Sequence, residues 1–178
     1  MTPRHDSTPI TIVGGSATGL FAAERLARAG RPVTLLESAD DWSPEPRTLI
    51  VTRRMRDLLG EVGDRSVVNT ISRFELVTAG RTASVGLSEP DLIIERAVLV
   101  PGLVELAEAA GVDLCMGSRV SGLTATDEGV TLEVGRRGAT EERTATTVVG
   151  ADGTFSGVAR AAGWPPLTTV PLIQAIVG

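Results

Sequence analysis

With 178 residues, 42% of them hydrophobic and 22% charged, the chain has the make-up of an ordinary globular protein and can bury one sizeable core. A net charge of -5 and the absence of a long basic run argue against a nucleic-acid binder, whose surface must neutralise phosphates. The single cysteine, Cys115, excludes an internal disulfide, and the single histidine, His5, lies in a polar N-terminal stretch. No Ser/His/Asp arrangement, metal-ligand cluster or catalytic cysteine is therefore visible, and a reducing cytoplasm fits the thiol best.

Residues 1–8 read as a flexible tail, because Arg4, His5 and Asp6 interrupt any apolar core that a secretory signal would need. No run of about eighteen apolar residues follows, so no transmembrane segment is expected. From Pro9 to Val13 a short β-branched run stops at Gly14 and Gly15, the pattern of a buried strand entering a tight turn. Ala17 to Ala29 carries Leu20, Phe21, Ala23, Leu26 and Ala27 at helical spacing, with Gly30 placed to end the helix. Pro32 to Glu37 is a second strand, expected parallel to the first.

After a loop over Trp42 to Pro46, a helix is expected from about Val51 to Gly60, with Met55, Leu58 and Leu59 as a core-packing side. Phe74 to Thr78 and Thr82 to Leu87 flank Ala79, Gly80 and Arg81 and predict a hairpin. Pro101 suits a first helical turn, followed by Leu103, Val104, Leu106, Ala107 and Ala110 and ending at Gly111. Val112 to Met116 resumes as strand, and Arg119 to Thr126 with Val130 to Val134 form a second hairpin around Asp127, Glu128 and Gly129. Thr147 to Ala151 is another strand, and Ser156 to Ala162 a short helix before Gly163, Pro165 and Pro166. The fold class expected is α/β: a Rossmann-like dinucleotide-binding domain over residues 9–170, a parallel sheet with helices and an added antiparallel hairpin layer.

The segment I-T-I-V-G-G-S-A-T-G-L, residues 10–20, sets Gly14 and Gly19 at a strand-to-helix turn. Gly14 permits the turn, Gly19 permits close packing, and the helix start at Ala17 offers N–H groups and a positive dipole to a pyrophosphate. The middle glycine of the fingerprint is Ser16, whose Cβ crowds the approach but whose hydroxyl can itself reach a phosphate; Gly15 beside it relieves some crowding. Glu37 ends the next strand, where an acid accepts ribose hydroxyls and repels the 2'-phosphate of NADP. The plainer reading is a tight turn with a solvated strand end. Strand, turn, helix, strand and acid in this order favour nucleotide binding.

Three further segments make the chain resemble the FAD-dependent monooxygenase superfamily typified by para-hydroxybenzoate hydroxylase, to which geranylgeranyl reductases are structurally related. V-V-G-A-D-G-T-F-S-G-V-A-R-A-A-G, residues 148–163, resembles the family's DG motif, which implies that Asp152 and Gly153 contact the ribityl or pyrophosphate part of FAD. Its Val158, Ala159, Arg160 spacing is more like the reductase branch, and Arg160 also reads as a solvated helix residue. I-E-R-A-V-L-V-P-G-L-V-E-L-A-E-A-A-G-V, residues 94–112, resembles the stretch in which an arginine precedes a helix and implies that Arg96 lies near the flavin; a surface ion pair is the alternative. P-E-P-R-T-L-I-V, residues 44–51, puts Arg47 where relatives carry an arginine close to the flavin or its phosphates, with a solvated loop residue as the other reading.

The resemblance implies FAD as cofactor, NAD(P)H as electron donor, and oxygen-dependent hydroxylation of a small hydrophobic, aromatic or polyketide-like substrate. Reduction of isoprenoid double bonds and a non-catalytic flavin-domain module are the alternatives. Members of the superfamily continue well past this length, so residues 171–178, with a strand from Leu172 to Val177, are expected to start a missing substrate domain. Self-association, or a partner chain supplying that half, would complete such a protein. No residue is singled out as a catalytic base.

Overall fold

The computed structural model describes residues 9–136 and 138–171. The expected tail over residues 1–8 and the expected strand from Leu172 to Val177 lie outside them. In chain order the elements are β1 (Ile10–Val13), α1 (Ala17–Arg28), β2 (Val33–Leu36), β3 (Thr48–Val51), α2 (Arg53–Leu59), α3 (Glu61–Ser66), β4 (Val67–Thr78) and β5 (Arg81–Glu95). There follow α4 (Arg96–Ala109), β6 (Asp113–Cys115), β7 (Ser118–Thr126), β8 (Gly129–Arg136), β9 (Ala139–Ala145), β10 (Thr147–Gly150) and α5 (Gly157–Ala161). They form two compact units: one from the segments ending at Asp40 and beginning at Gly111, the other from Asp41–Ala110.

The first unit is the expected α/β fold. Its sheet runs β10-β1-β2-β6, all parallel, with Ile10 opposite Val33 on one side and Thr147 on the other. Every residue of β1 and β2 is buried, which is why both read as unbroken apolar runs and not as alternating ones. Successive side chains point to opposite faces. Val13, Leu36 and Cys115 pack against Leu132 and Val134 of β8 and Ala145 of β9, while Ile12 and Leu35 lie on the side covered by Leu20 and Ala23 of α1. Each buried Val, Leu or Ile among them contributes about 1.5–3 kcal/mol relative to exposure. Glu24 is also buried on α1, and its carboxylate is paired with Arg28 one turn on.

The second hairpin is larger than expected. β7, β8 and β9 form a three-stranded antiparallel sheet, in which Val130 pairs with Ala145 and Arg136 with Ala139. Residues A-T-E-E-R-T-A of β9 carry charge where a strand reader looks for apolar alternation, and only the pairing with β8 makes them a strand.

The second unit departs further from the sequence reading. The expected helix from Val51 to Gly60 is instead the end of β3, then α2, and a second helix α3 that begins beyond Gly60, whose φ of 55° and ψ of -130° break the run. β3 exists because Thr48 to Val51 pair with Leu92 to Glu95. No residue of α2 is buried and Leu58 is 53% exposed, so the expected core role of Met55, Leu58 and Leu59 is not met. The core of this unit comes from Val62, Leu92, Ile94, Leu99, Val100, Leu103 and Val104. Gly102 of α4 lies so near α3 that a Cβ there would sit 2.8 Å from a Val62 methyl. Pro101 is well inside α4, not in its first turn, because the Glu95 carboxylate accepts the Ala97 N–H and starts the helix at Arg96. Among the described residues no helix is long and apolar enough to cross a membrane.

β4 and β5 are joined by a two-residue turn, with Thr78 opposite Arg81 and positive φ at both Ala79 (36°) and Gly80 (79°). Such turns match the twist of the strands and favour Asn-Gly or Gly-Gly. Ala79 carries a Cβ in the left-handed region, so Ala79→Gly should raise stability by up to about 1 kcal/mol in urea unfolding. No change or a loss would show that the turn bears no strain.

Candidate functional site

In the first unit the chain folds Gly14, Gly15 and Ser16 into the turn between β1 and α1. The Gly14 N–H donates to the Leu36 carbonyl of β2 at 2.9 Å, and the Ala151 N–H donates to the Val13 carbonyl at 2.8 Å, so the turn is pinned from both neighbouring strands. Gly14 has a φ of 106°, and a Cβ there would lie 2.4 Å from the Ala151 carbonyl oxygen. A Cβ on Gly19 would lie 1.9 Å from the Gly14 carbonyl oxygen. Both positions therefore exclude every other residue, Gly14 by backbone conformation and contact, Gly19 by contact alone.

Glu37 follows β2 and turns its carboxylate back onto this loop. Its Oε2 accepts the Gly15 N–H at 2.6 Å, and its Oε1 accepts the Ala39 N–H at 2.8 Å and the Ser38 hydroxyl at 3.1 Å. It is half-buried and bridges the glycine turn to the end of β2, which the solvated reading of that residue does not accommodate. Ser16 caps α1 in extended backbone, with φ -73° and ψ 178°, and its side chain makes no capping bond. The first helical hydrogen bond runs from the Leu20 N–H to the Ser16 carbonyl at 3.0 Å. The N–H groups of Ala17, Thr18 and Gly19 ahead of it consequently have no acceptor within the helix, and no acidic side chain stands in the first turn. Uncapped N–H groups and a free dipole end suit an anion.

Asp152 lies just past the end of β10, beside Gly14: a Cβ on that glycine would come within 2.9 Å of the Asp152 nitrogen. Its own carboxylate is spent locally. Oδ1 accepts the Ser156 hydroxyl at 2.5 Å, and Oδ2 accepts the N–H groups of Gly157 at 2.6 Å and Val158 at 3.2 Å, so it anchors the start of α5. Burial alone would push its pKa up, but the bonds from Ser156, Val158, its own N–H and Gly157 outweigh that and hold it below the ordinary 3.8. Gly153, at a φ of 85°, is exposed in the turn that follows. Ser156 was not foreseen as part of this arrangement; the D-x-x-x-S spacing ahead of a helix was the available signal. Asp152, Val158 and Arg160 also line a cleft of about 340 Å³ with Val120 and Leu123.

Arg47 and Arg96 belong to the second unit, where the backbone brings them together. The Arg96 N–H donates to the Arg47 carbonyl at 3.0 Å, and Glu95 Oε1 accepts the N–H groups of both Arg47 and Ala97 at 3.0 Å. Arg47 is exposed and Arg96 half-buried, at the first position of α4 and not ahead of it.

The profile of the FAD binding domain family matches residues 7–172, and the chain belongs to that family. It is 28% identical over 167 residues to digeranylgeranylglycerophospholipid reductase 1 of Methanococcoides burtonii, covering 89% of this chain and 40% of the reductase. It is 29% identical over 164 residues to 4-methyl-5-nitrocatechol 5-monooxygenase of a Burkholderia species, covering 80% of this chain and 30% of that enzyme. Among solved structures it is similar to the flavin-dependent monooxygenase PieE in complex with FAD and substrate, with a TM-score of 0.71 and 25% identity over 88% of this chain and 32% of PieE. The chain thus spans less than half the length of these relatives.

Replacing Asp152 by Ala removes the anchor of α5 and should cost about 1–2 kcal/mol at neutral pH, the scale of a lost N-terminal cap. Because its folded pKa is depressed, the advantage of the wild type over Asp152→Asn is full above the ordinary value of 3.8 and fades as pH falls through the lower folded value. Urea titrations at pH 7 and at successively lower pH check this; a constant difference would refute the role of the charge.

Proposed function

We propose that this chain is the FAD-binding portion of a flavoprotein oxidoreductase, in the first reading an NAD(P)H-dependent monooxygenase acting on aromatic or polyketide-like small molecules. The observation that carries the reading is the closed glycine turn at the head of α1, lying within a match to the FAD binding domain family that runs over residues 7–172. The residues present fit a dinucleotide. Gly14 and Gly19 leave no room for side chains, the N–H groups of Ala17, Thr18 and Gly19 await an acceptor, and Glu37 reaches the turn from the neighbouring strand.

In this reading Gly14, Gly15, Ser16, Ala17 and Gly19 seat the diphosphate, and Glu37 accepts the ribose hydroxyls of the adenosine half. Glu37 must exchange at least one of its present donors for the ribose, and its charge disfavours a 2'-phosphate there. Asp152 orients the loop through Gly153 toward the ribityl and diphosphate region by holding the start of α5. Bound FAD supplies the redox chemistry, and the protein binds it, orients it and excludes water. The likeness to the nitrocatechol monooxygenase and to PieE supports hydroxylation. The likeness to the Methanococcoides burtonii reductase over 89% of this chain, with the spacing of Val158, Ala159 and Arg160, supports a second reading, reduction of an isoprenoid double bond.

The direct test is the visible spectrum of the purified chain after incubation with FAD and removal of free cofactor. Retained flavin bands are expected; a folded chain that stays colourless would favour a module that does not hold flavin by itself. Glu37→Ala should weaken FAD binding about tenfold or more, the loss of hydrogen bonds to a charged acceptor. It should also lower apo stability by about 1 kcal/mol, because the Gly15 N–H loses its acceptor. Unchanged FAD affinity in that variant would remove Glu37 from the site.

A further inference from the structure

The β4–β5 hairpin of the second unit outruns its third strand. β3 reaches only Leu92 to Glu95 of β5, so from Arg73 to Gly86 the hairpin is a ribbon of two strands, and among the described residues β4 pairs with β5 alone. Side chains alternate across such a ribbon. Phe74 and Leu76, with Val85 and Ala83 opposite them, share one face, and Leu76 and Val85 are 60% and 47% exposed. Arg73, Glu75 and Val77 share the other, where Arg73 and Glu75 pair at 3.1 Å and Val77 is 73% exposed. A two-stranded ribbon is marginally stable in water, and the bare N–H and C=O groups of an edge strand are a template for another strand. Thr78 and Arg81 flank the two-residue turn and bond each other, so hydrogen bonding to β5 recurs at Leu76 and Phe74. The backbone groups of Arg73, Glu75 and Val77 therefore face outward.

We propose that the outer edge of β4 pairs antiparallel with β4 of a second copy of this chain, about a two-fold axis at Phe74. In this register Arg73 faces the partner's Glu75 and Glu75 faces the partner's Arg73, all of them residues whose backbone bonds outward, so charge and backbone agree. Val77 lies beside the partner's Ile71, and Phe74 beside the partner's Phe74 at a position without hydrogen bonds, where opposed side chains come closest. The apolar stripes of the two ribbons then join into one face. Moving the axis by one residue either way sets Arg73 against the partner's Arg73 or Glu75 against the partner's Glu75, and like charges directly opposite disfavour pairing. The edge is thus complementary to itself in this register, as a two-fold interface requires. The proposal does not depend on the FAD reading.

Sedimentation equilibrium of the purified full chain over a range of concentrations should show a reversible equilibrium between one chain and two. Arg73→Glu and Glu75→Arg each put like charges opposite at both symmetry-related contacts and should each weaken the dimer about tenfold or more. Mixed in equal amounts, the two single variants should form a mixed dimer of near wild-type affinity, since each then meets the opposite sign at every contact. Mixing cannot restore the ion pair within either chain, so this rescue separates contact between copies from damage to the hairpin. Phe74→Cys should give a covalent dimer on mild oxidation, whereas the wild type, whose single cysteine is buried, should not. A wild-type chain that stays single up to its highest soluble concentration would overturn the proposal and leave the edge to some other strand. So would a dimer indifferent to both charge reversals, a mixture that associates no better than its components, or an open series of larger species, because two-fold pairing closes at two chains.

Discussion

The backbone of Gly14 is enclosed by two other stretches of chain, and the rest of the first unit is arranged around that contact. Ala151 approaches from the end of β10 and Gly19 from the first turn of α1, each so near that a single added carbon would collide with backbone. Interiors of this density do not yield to a methyl group without displacing something rigid. The direction in which α1 leaves the sheet, the position of its uncapped N–H groups and the proximity of Asp152 to the turn all follow from this packing. Glu37 adds the polar counterpart: its carboxylate joins the Gly15 N–H to the loop after β2, so three separate segments of sequence are fixed against one another.

The two acids of this unit divide the labour. Asp152 has both oxygens engaged by the loop and helix that follow it, and its depressed pKa records how well those donors suit an ionised group. Glu37 is engaged by the half-buried Gly15 N–H through one oxygen and by the exposed Ala39 N–H and Ser38 hydroxyl through the other. One carboxylate fixes the start of α5, and the other joins the glycine turn to the loop after β2. In the sequence both read as ligand contacts, Glu37 from its place after the glycine loop and Asp152 from resemblance to the DG motif.

Much of the first unit was legible in the sequence because its signals are local. Gly14, Gly19 and Gly30 punctuate a strand, a helix and a strand whose apolar periods are unambiguous, and Asp127 to Gly129 mark a turn wherever they occur. What was not legible depends on distant partners. β9 is a strand only because β8 lies beside it, and β3 only because the far end of β5 does. The start of α4 is set by a capping bond from Glu95, a residue that sequence reading assigns to no role, and this moved Pro101 from the first turn into the helix interior. At the candidate site, spacing singles out the glycines and Glu37, and resemblance to the DG motif singles out Asp152, whereas the engagement of Asp152 with Ser156 and of Glu37 with Gly15 is a matter of geometry that neither specifies.

The first unit is also discontinuous along the chain, and this orders its assembly in time. β1 is completed by β10, with Ile10 opposite Thr147, and β2 by β6, with Thr34 opposite Asp113, so the parallel sheet closes only after the whole Asp41–Ala110 segment has been made. Parallel pairs separated by that much chain form late, since loop closure must precede any gain from pairing. The inserted unit, whose strands pair within one continuous stretch, is free to fold first. Until Thr147 to Gly150 emerge from synthesis, β1 and β2 present an apolar, unpaired edge, the kind of surface on which nascent chains aggregate or recruit chaperones.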